Sequence, residues 1–341
     1  MMISVLPINR IFIGPGRPRT IALCLLGVFV LVYPQLVNDY WRMVANFYGI
    51  YVLLGCSLNL IVGDAGLFNL GHAAFYAVGA YTTAILNTQC NVPTMMLLPL
   101  SAVLAGCIAA LIAKPILHLR GDYLCMVTIG LGEIVRIALY NNPFDLTGGP
   151  NGIFGISRPI LFGFAFKKPL QYYYLIWAFV FLTIFVMRRL EESRIGRAWN
   201  CIREDDLAAE AMGINTTRLK LLAFVLGAGM AGIAGNLYAG YMTVIAPESF
   251  SFWESVLMFC IVVLGGPGSV PGVIVGAFGM FVLPELFRDY FLKSRLLVFG
   301  VAMVLMMLFR PEGLLPVAQW KRADDAGRRR KPEKAAASAR G

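Results

Sequence analysis

Residues 43–62 read MVANFYGIYVLLGCSLNLIV and residues 66–86 read GLFNLGHAAFYAVGAYTTAIL. A helix crosses a bilayer with about 20 predominantly apolar residues, so each run is long enough to span. Between them stands Gly63-Asp64-Ala65-Gly66, where two glycines and an acid interrupt the pattern. Backbone that leaves the helix at membrane depth must be covered by protein or line a wet cavity. The fold class is therefore all-α, a polytopic membrane protein with non-helical backbone at Gly63–Gly66.

Outward from that pair, eight further apolar stretches qualify as spans: 20–37, 94–117, 122–140, 172–187, 216–240, 252–265, 270–290 and 296–309. The total is about ten transmembrane helices. The stretch at 252–265 is short and ends in Gly265-Gly266-Pro267-Gly268, so a broken or re-entrant helix is expected there. Composition agrees with a membrane protein: apolar residues make up 58% of the 341 and charged residues 14%, too few to cover a soluble fold of this size. The domain reading is a cytoplasmic N-terminal arm over 1–19, a transmembrane domain over 20–310 and a basic tail over 311–341.

The net charge of +10 would suit nucleic acid if it lay on one folded face. Its distribution points to a membrane surface and away from nucleic acid. Alternating ten spans from an inside N-terminus places 21 Lys and Arg on one side and 7 on the other. The positive-inside rule then puts both termini in the cytoplasm. Arg10, Arg17 and Arg19 precede the first span, and no small-x-small cleavage site follows it, so it reads as a retained anchor.

Two loops carry most of the polar sequence. The outer one, 141–171, is dense in turn formers, with Thr147-Gly148-Gly149-Pro150-Asn151-Gly152 at its centre. The inner one, 188–220, mixes seven basic with six acidic residues. Within it Glu204 to Met212 reads as a short helix outside the bilayer, Gly213 as its stop and Asn215 as a cap for the next span.

An internal repeat is expected. Gly71-His72 through Gly79-Ala80-Tyr81 can be laid over Gly268-Ser269 through Gly276-Ala277-Phe278, and each copy follows a glycine-rich break. Interrupted segments at matching places in two halves point to a transport pathway at their interface. Asn59, Asn69, Gly71, His72, Gly268 and Gly272 are the candidate pathway residues, with hydrogen bonding of the broken backbone as the competing role for the polar ones.

Little else in the chain suggests chemistry. Gly227-Ala228-Gly229-Met230-Ala231-Gly232 fits the dinucleotide pattern but lies inside a span, where glycines pack helices. No P-loop, zinc-protease or serine-hydrolase motif is present, and no catalytic residue, metal or cofactor is expected. The seven cysteines are scattered and read as buried small hydrophobes. Glu133 and Arg136 stand three apart on one span and can pair. Glu285 lies deep in the ninth span with no obvious local partner.

Several of these segments carry a family resemblance. Gly63–His72 through Tyr81, Leu119-Arg120-Gly121-Asp122-Tyr123, Gly132-Glu133-Ile134-Val135-Arg136, Thr147–Gly152 and Phe309-Arg310-Pro311-Glu312-Gly313-Leu314-Leu315 resemble the LivM-type permease of branched-chain amino acid ABC importers. The resemblance implies an inverted-repeat importer fold in the bacterial inner membrane. It also implies alternating access, a second LivH-like permease, two separate ATP-binding-cassette ATPases, a soluble binding protein and a small amino-acid substrate. In such permeases a coupling segment meets the ATPase. The match here falls on 188–215, with Glu204, Asp205, Asp206, Ala208, Ala209, Glu210, Met212 and Gly213 as its contact residues, although the family's strict Glu is replaced around Asp206-Leu207. The alternative function is a stand-alone proton-coupled carrier, with Glu133 or Glu285 as the titrating acid.

Overall fold

The computed structural model describes residues 33–117, 119, 121–161, 164–166, 168–286, 300, 304, 308 and 313–315. Most of the first and tenth expected spans, and the basic tail from 316 onward, lie outside these residues. Nearly all regular structure in the described part is helical.

Helix α1 runs Asp39–Asn59 and continues as a π turn over Leu60–Asp64 before the chain leaves the helix. Helix α2, His72–Cys90, resumes after the link 65–71. There follow α3 at Leu98–Ile116, α4 at Asp122–Tyr140 and α5 at Pro169–Glu192. A short pair, α6 at Arg194–Glu204 and α7 at Asp206–Ala211, leads into α8, Thr216–Met242. Helix α9 at Phe252–Gly265, α10 at Val270–Ala277, a π turn at Phe278–Val282 and α11 at Leu283–Leu286 complete the described chain.

Six of these segments are long and apolar enough to cross a membrane: 39–64, 98–116, 122–140, 169–192, 216–242 and 247–265. The eighth expected span breaks at its end, where the helix stops at Gly265 and resumes at Val270. A 3-10 turn, Pro247–Phe250, lengthens α9 to the 19 residues of 247–265. The π turns differ between the halves, preceding the first break and following the second.

Helix α8 is the centre of the bundle, packed on α1, α2 and α3. Lipid supplies no hydrophobic drive between helices, so close packing of small residues must hold them. Gly227, Ala228, Ala231, Gly232, Ala234 and Gly235 are buried along α8. A Cβ on Gly79 of α2 would come within 2.3 Å of the Gly232 carbonyl, so the two backbones touch. The Gly-x-Gly-x-x-Gly motif is thus a packing surface. Helix α4 contributes little to the core, leaving Tyr123, Met126 and Ile134 exposed along it.

The outer loop is tied down at three points. The Asn142 side-chain oxygen accepts from the Thr147 and Gly148 N–H groups at 2.8 and 2.9 Å. Strand β1, Ile153–Phe154, pairs antiparallel with Val244–Ile245, just after α8. Asn87 at the outer end of α2 exchanges hydrogen bonds with Ser157, at 2.6 and 2.7 Å. A small hairpin, Ile160–Leu161 with Phe164–Ala165, completes the loop.

The expectation that the cysteines are buried is corrected. Cys56 is buried, but Cys90, Cys107 and Cys201 are exposed. Cys90 closes α2 and Cys201 lies on α6 within the polar stretch 188–220, while Cys24 lies outside the described residues.

Candidate functional site

The two glycine-rich breaks meet in the structure. The Asn59 side-chain oxygen, at the end of α1, accepts the Gly268 N–H at 2.8 Å. Gly63 makes this approach possible, because a Cβ there would stand 2.3 Å from both the Gly268 nitrogen and the Asn59 oxygen. Segments 209 residues apart are therefore joined at the interruption of each half.

His72 organises the other side of the first break. Ser57 Oγ donates to the Leu54 carbonyl at 2.7 Å, and its oxygen lies 2.7 Å from His72 Nε2. With the hydroxyl hydrogen used, Nε2 must be the donor, which leaves Nδ1 to accept from Asn69 Nδ2 at 3.5 Å. The Asn69 oxygen in turn accepts the Gly71 N–H at 3.0 Å. Asn59, Asn69 and His72 are at most 1% exposed, and Gly71 and Gly272 are buried too. In this conformation they hold broken backbone together and open to no channel. Asn59 Nδ2 stands among them, buried and without a partner among the described residues.

The segment between α5 and α8 is built on two N-caps. Ser193 Oγ accepts from the Ile195 and Gly196 N–H groups to start α6, a helix that the sequence pattern does not reveal. Trp199, 1% exposed, seats α6 against α8 and donates from its indole to the Leu219 carbonyl at 2.8 Å. Asp205 then accepts from Leu207 and Ala208 N–H and starts α7. The short helix therefore begins at Asp206, because Asp205 is its cap and Glu204 closes the preceding helix. Asp206 pairs with Lys220 at 2.5 Å, and Thr216 Oγ1 donates to Glu210 at 2.6 Å. Gly213 turns the chain with φ +82°, and Asn215 accepts the Arg218 N–H to cap α8.

These anchors fix which face of α7 is free. Ala209 is 3% exposed and points into the protein, which corrects the expectation that it is a contact residue beside Ala208. Leu207 and Met212 are 62% and 82% exposed, and Ala208 and Ala211 are exposed with them. Leu207 and Met212 thus form a small apolar patch on the free face of α7.

Sequence reasoning missed the connection between segment and break. Arg203, the penultimate residue of α6, donates from Nη1 to the Gly63 carbonyl at 2.5 Å. The link spans 140 residues of sequence, and only the run of polar residues at 188–220 could have signalled it.

Of the remaining candidates, Arg136 Nε donates to Glu133 at 2.8 Å on half-exposed α4, far in sequence from the breaks. Glu285 accepts from the Tyr40 hydroxyl, a partner 245 residues away. Among the described residues no group of His, Cys, Asp and Glu could hold a metal ion.

Comparison with known proteins follows the same lines. Residues 41–308 match the family described as branched-chain amino acid transport system / permease component. The permease LivM of Escherichia coli K12, from a high-affinity branched-chain amino acid transport system, is 41% identical over 329 residues, covering 90% of this chain and 77% of that protein. A probable LivM from Methanocaldococcus jannaschii is 25% identical over 82% of this chain and 94% of its own length. LivH of Salmonella typhimurium is 28% identical over 78% of this chain and 91% of its own. No solved structure matches.

Proposed function

The chain belongs to the family of branched-chain amino acid transport system permease components, and on that premise we propose that it is one of two permease subunits of an ATP-driven importer for leucine, isoleucine, valine or related amino acids. A LivH-like permease completes the pathway, a soluble binding protein delivers substrate outside, and two separate ATPases dock beneath on the coupling helices, of which α7 is this chain's. The pathway runs between the two halves, and the contact between their breaks, at Asn59, Gly63 and Gly268, is its mobile junction. ATP-driven movement of α6 and α7 reaches that junction and shifts it between outward and inward states. The observation that carries this reading is the Arg203 bond to Gly63, a direct mechanical path from the cytoplasmic segment into the break. Asn59, Asn69, Gly71, His72, Gly268 and Gly272 act as its fixed points, and Glu133–Arg136 stiffens α4.

On this reading the chain has no transport activity alone. Purified and reconstituted by itself, it is expected to hydrolyse no ATP and take up no leucine, with or without a proton gradient, and to gain both activities when the other subunits are added. Proton-driven uptake by the single chain would replace this reading with that of a stand-alone carrier.

The orientation can be tested on native thiols. Cys90 and Cys201 are both exposed, at the outer end of α2 and on α6. A membrane-impermeant maleimide added to intact cells is expected to label Cys90 and spare Cys201, and the reverse in inside-out vesicles, with Cys90→Ser and Cys201→Ser assigning the signals. Labelling of both from one side would remove the proposed arrangement of spans.

A further inference from the structure

We propose that Glu254, which accepts the hydroxyl of Tyr51, a member of an aromatic cluster, forms a subsite in the membrane for the primary ammonium group of an amino acid. The inference rests on the importer reading and names the group that this subunit recognises. Tyr51 stands at the middle of the 26-residue span 39–64. Glu254 lies in the first turn of α9, and its Oε2 accepts the Tyr51 hydroxyl at 2.9 Å. In sequence Ser251-Phe252-Trp253-Glu254 is a capping-box pattern, which would send the carboxylate back to the Ser251 N–H. The structure shows no side-chain cap at Ser251, and the carboxylate is turned to the centre of the bundle instead.

A carboxylate at this depth is costly unless a cation completes it. Of the other acids inside spans, Glu133 has Arg136, and Glu285 accepts from the Tyr40 hydroxyl. Among the described residues Glu254 forms no salt bridge. Aromatic rings close the surroundings: the Tyr51 and Phe281 centroids are 4.8 Å apart, Phe47 lies 6.0 Å from Phe281, and Tyr238 lies 6.4 Å from Phe47. A carboxylate bonded to one tyrosine of an aromatic cluster attracts a primary ammonium by charge, and the rings of the cluster add cation–π attraction. Access agrees, because Glu254, Tyr51, Phe47, Tyr238 and Phe281 are all partly exposed whereas His72 and Asn59 are sealed. The cargo's ammonium would thus satisfy Glu254 during passage, and the rings would accept its apolar side chain.

The test is leucine binding to the assembled importer in nanodiscs, without binding protein or ATP, by saturation-transfer NMR. Glu254→Gln is expected to weaken leucine binding about tenfold and Tyr51→Phe about threefold, the range of a charged and a neutral hydrogen bond. Glu254→Asp is expected to restore most of the affinity. Leucine should be displaced by 3-methylbutan-1-amine, which keeps the ammonium, and not by 4-methylpentanoate, which keeps only the carboxylate. Unchanged binding in Glu254→Gln, displacement by the carboxylate alone, or no leucine signal in the wild-type importer would overturn the subsite. Failure of the complete wild-type importer to accumulate leucine with ATP would overturn the importer reading instead, since the binding measurement requires no ATP.

Discussion

An importer carrying Ala208→Trp is expected to lose its ATPase subunits on purification while the permease itself stays folded. Ala208 is on the exposed face of α7 with Leu207 and Met212, where a bulky ring blocks close docking without touching the core. The same change at the adjacent position should act differently. Ala209 is 3% exposed, and forcing an indole into packed surroundings costs about 1–3 kcal/mol or more. Ala209→Trp is therefore expected to lower the melting temperature of the isolated chain, and Ala208→Trp to leave it unchanged. Stoichiometry after copurification, read beside the melting curve, separates the two. Gly213→Val belongs with the second class. Open space surrounds Gly213, so nothing clashes, but φ +82° is strongly disfavoured for a β-branched residue, at about 1–3 kcal/mol. Retention of ATPases and normal uptake by Ala208→Trp would take α7 out of the docking surface.

This contrast between neighbours also marks where reading from sequence ends. Span limits set by composition were accessible: α4 at 122–140 and α9 at 252–265 begin and end where the apolar runs do. The breaks were accessible too, because glycine and aspartate clustered inside an apolar run both weigh against continuous helix there. The face of a six-residue helix was not. It depends on whether Glu204 or Asp205 starts the helix, and both are good first-turn residues. A capping bond from Asp205 decides it, and that shift of register turns Ala209 inward. Glu254 was hidden for a related reason. Its sequence setting is accounted for completely by local capping, while the partner that claims it, Tyr51, lies 203 residues earlier. Long-range polar contacts leave no periodicity, so neither they nor the Arg203 bond could be read from spacing.

Arg203→Ala is expected to uncouple the importer, with ATP hydrolysis continuing and amino-acid uptake falling about tenfold or more. The guanidinium donates to the Gly63 carbonyl at the junction, at 2.5 Å. A charged hydrogen bond of this kind contributes about 1.5–3 kcal/mol, enough to change the balance between two conformations by one to two powers of ten. Removing it leaves the Gly63 carbonyl in the π turn without this donor, and the break no longer follows α6. The ATPase surface on α7 is untouched, so assembly and basal hydrolysis should stay near wild type. Arg203→Lys keeps the charge but loses the planar fork of donors, and is expected to recover part of the uptake. Parallel loss of hydrolysis and uptake would mean that Arg203 only stabilises the segment. Full uptake in Arg203→Ala would show that motion reaches the breaks by another path, and α8, which α6 meets through Trp199 and Leu219, would then be the element to follow.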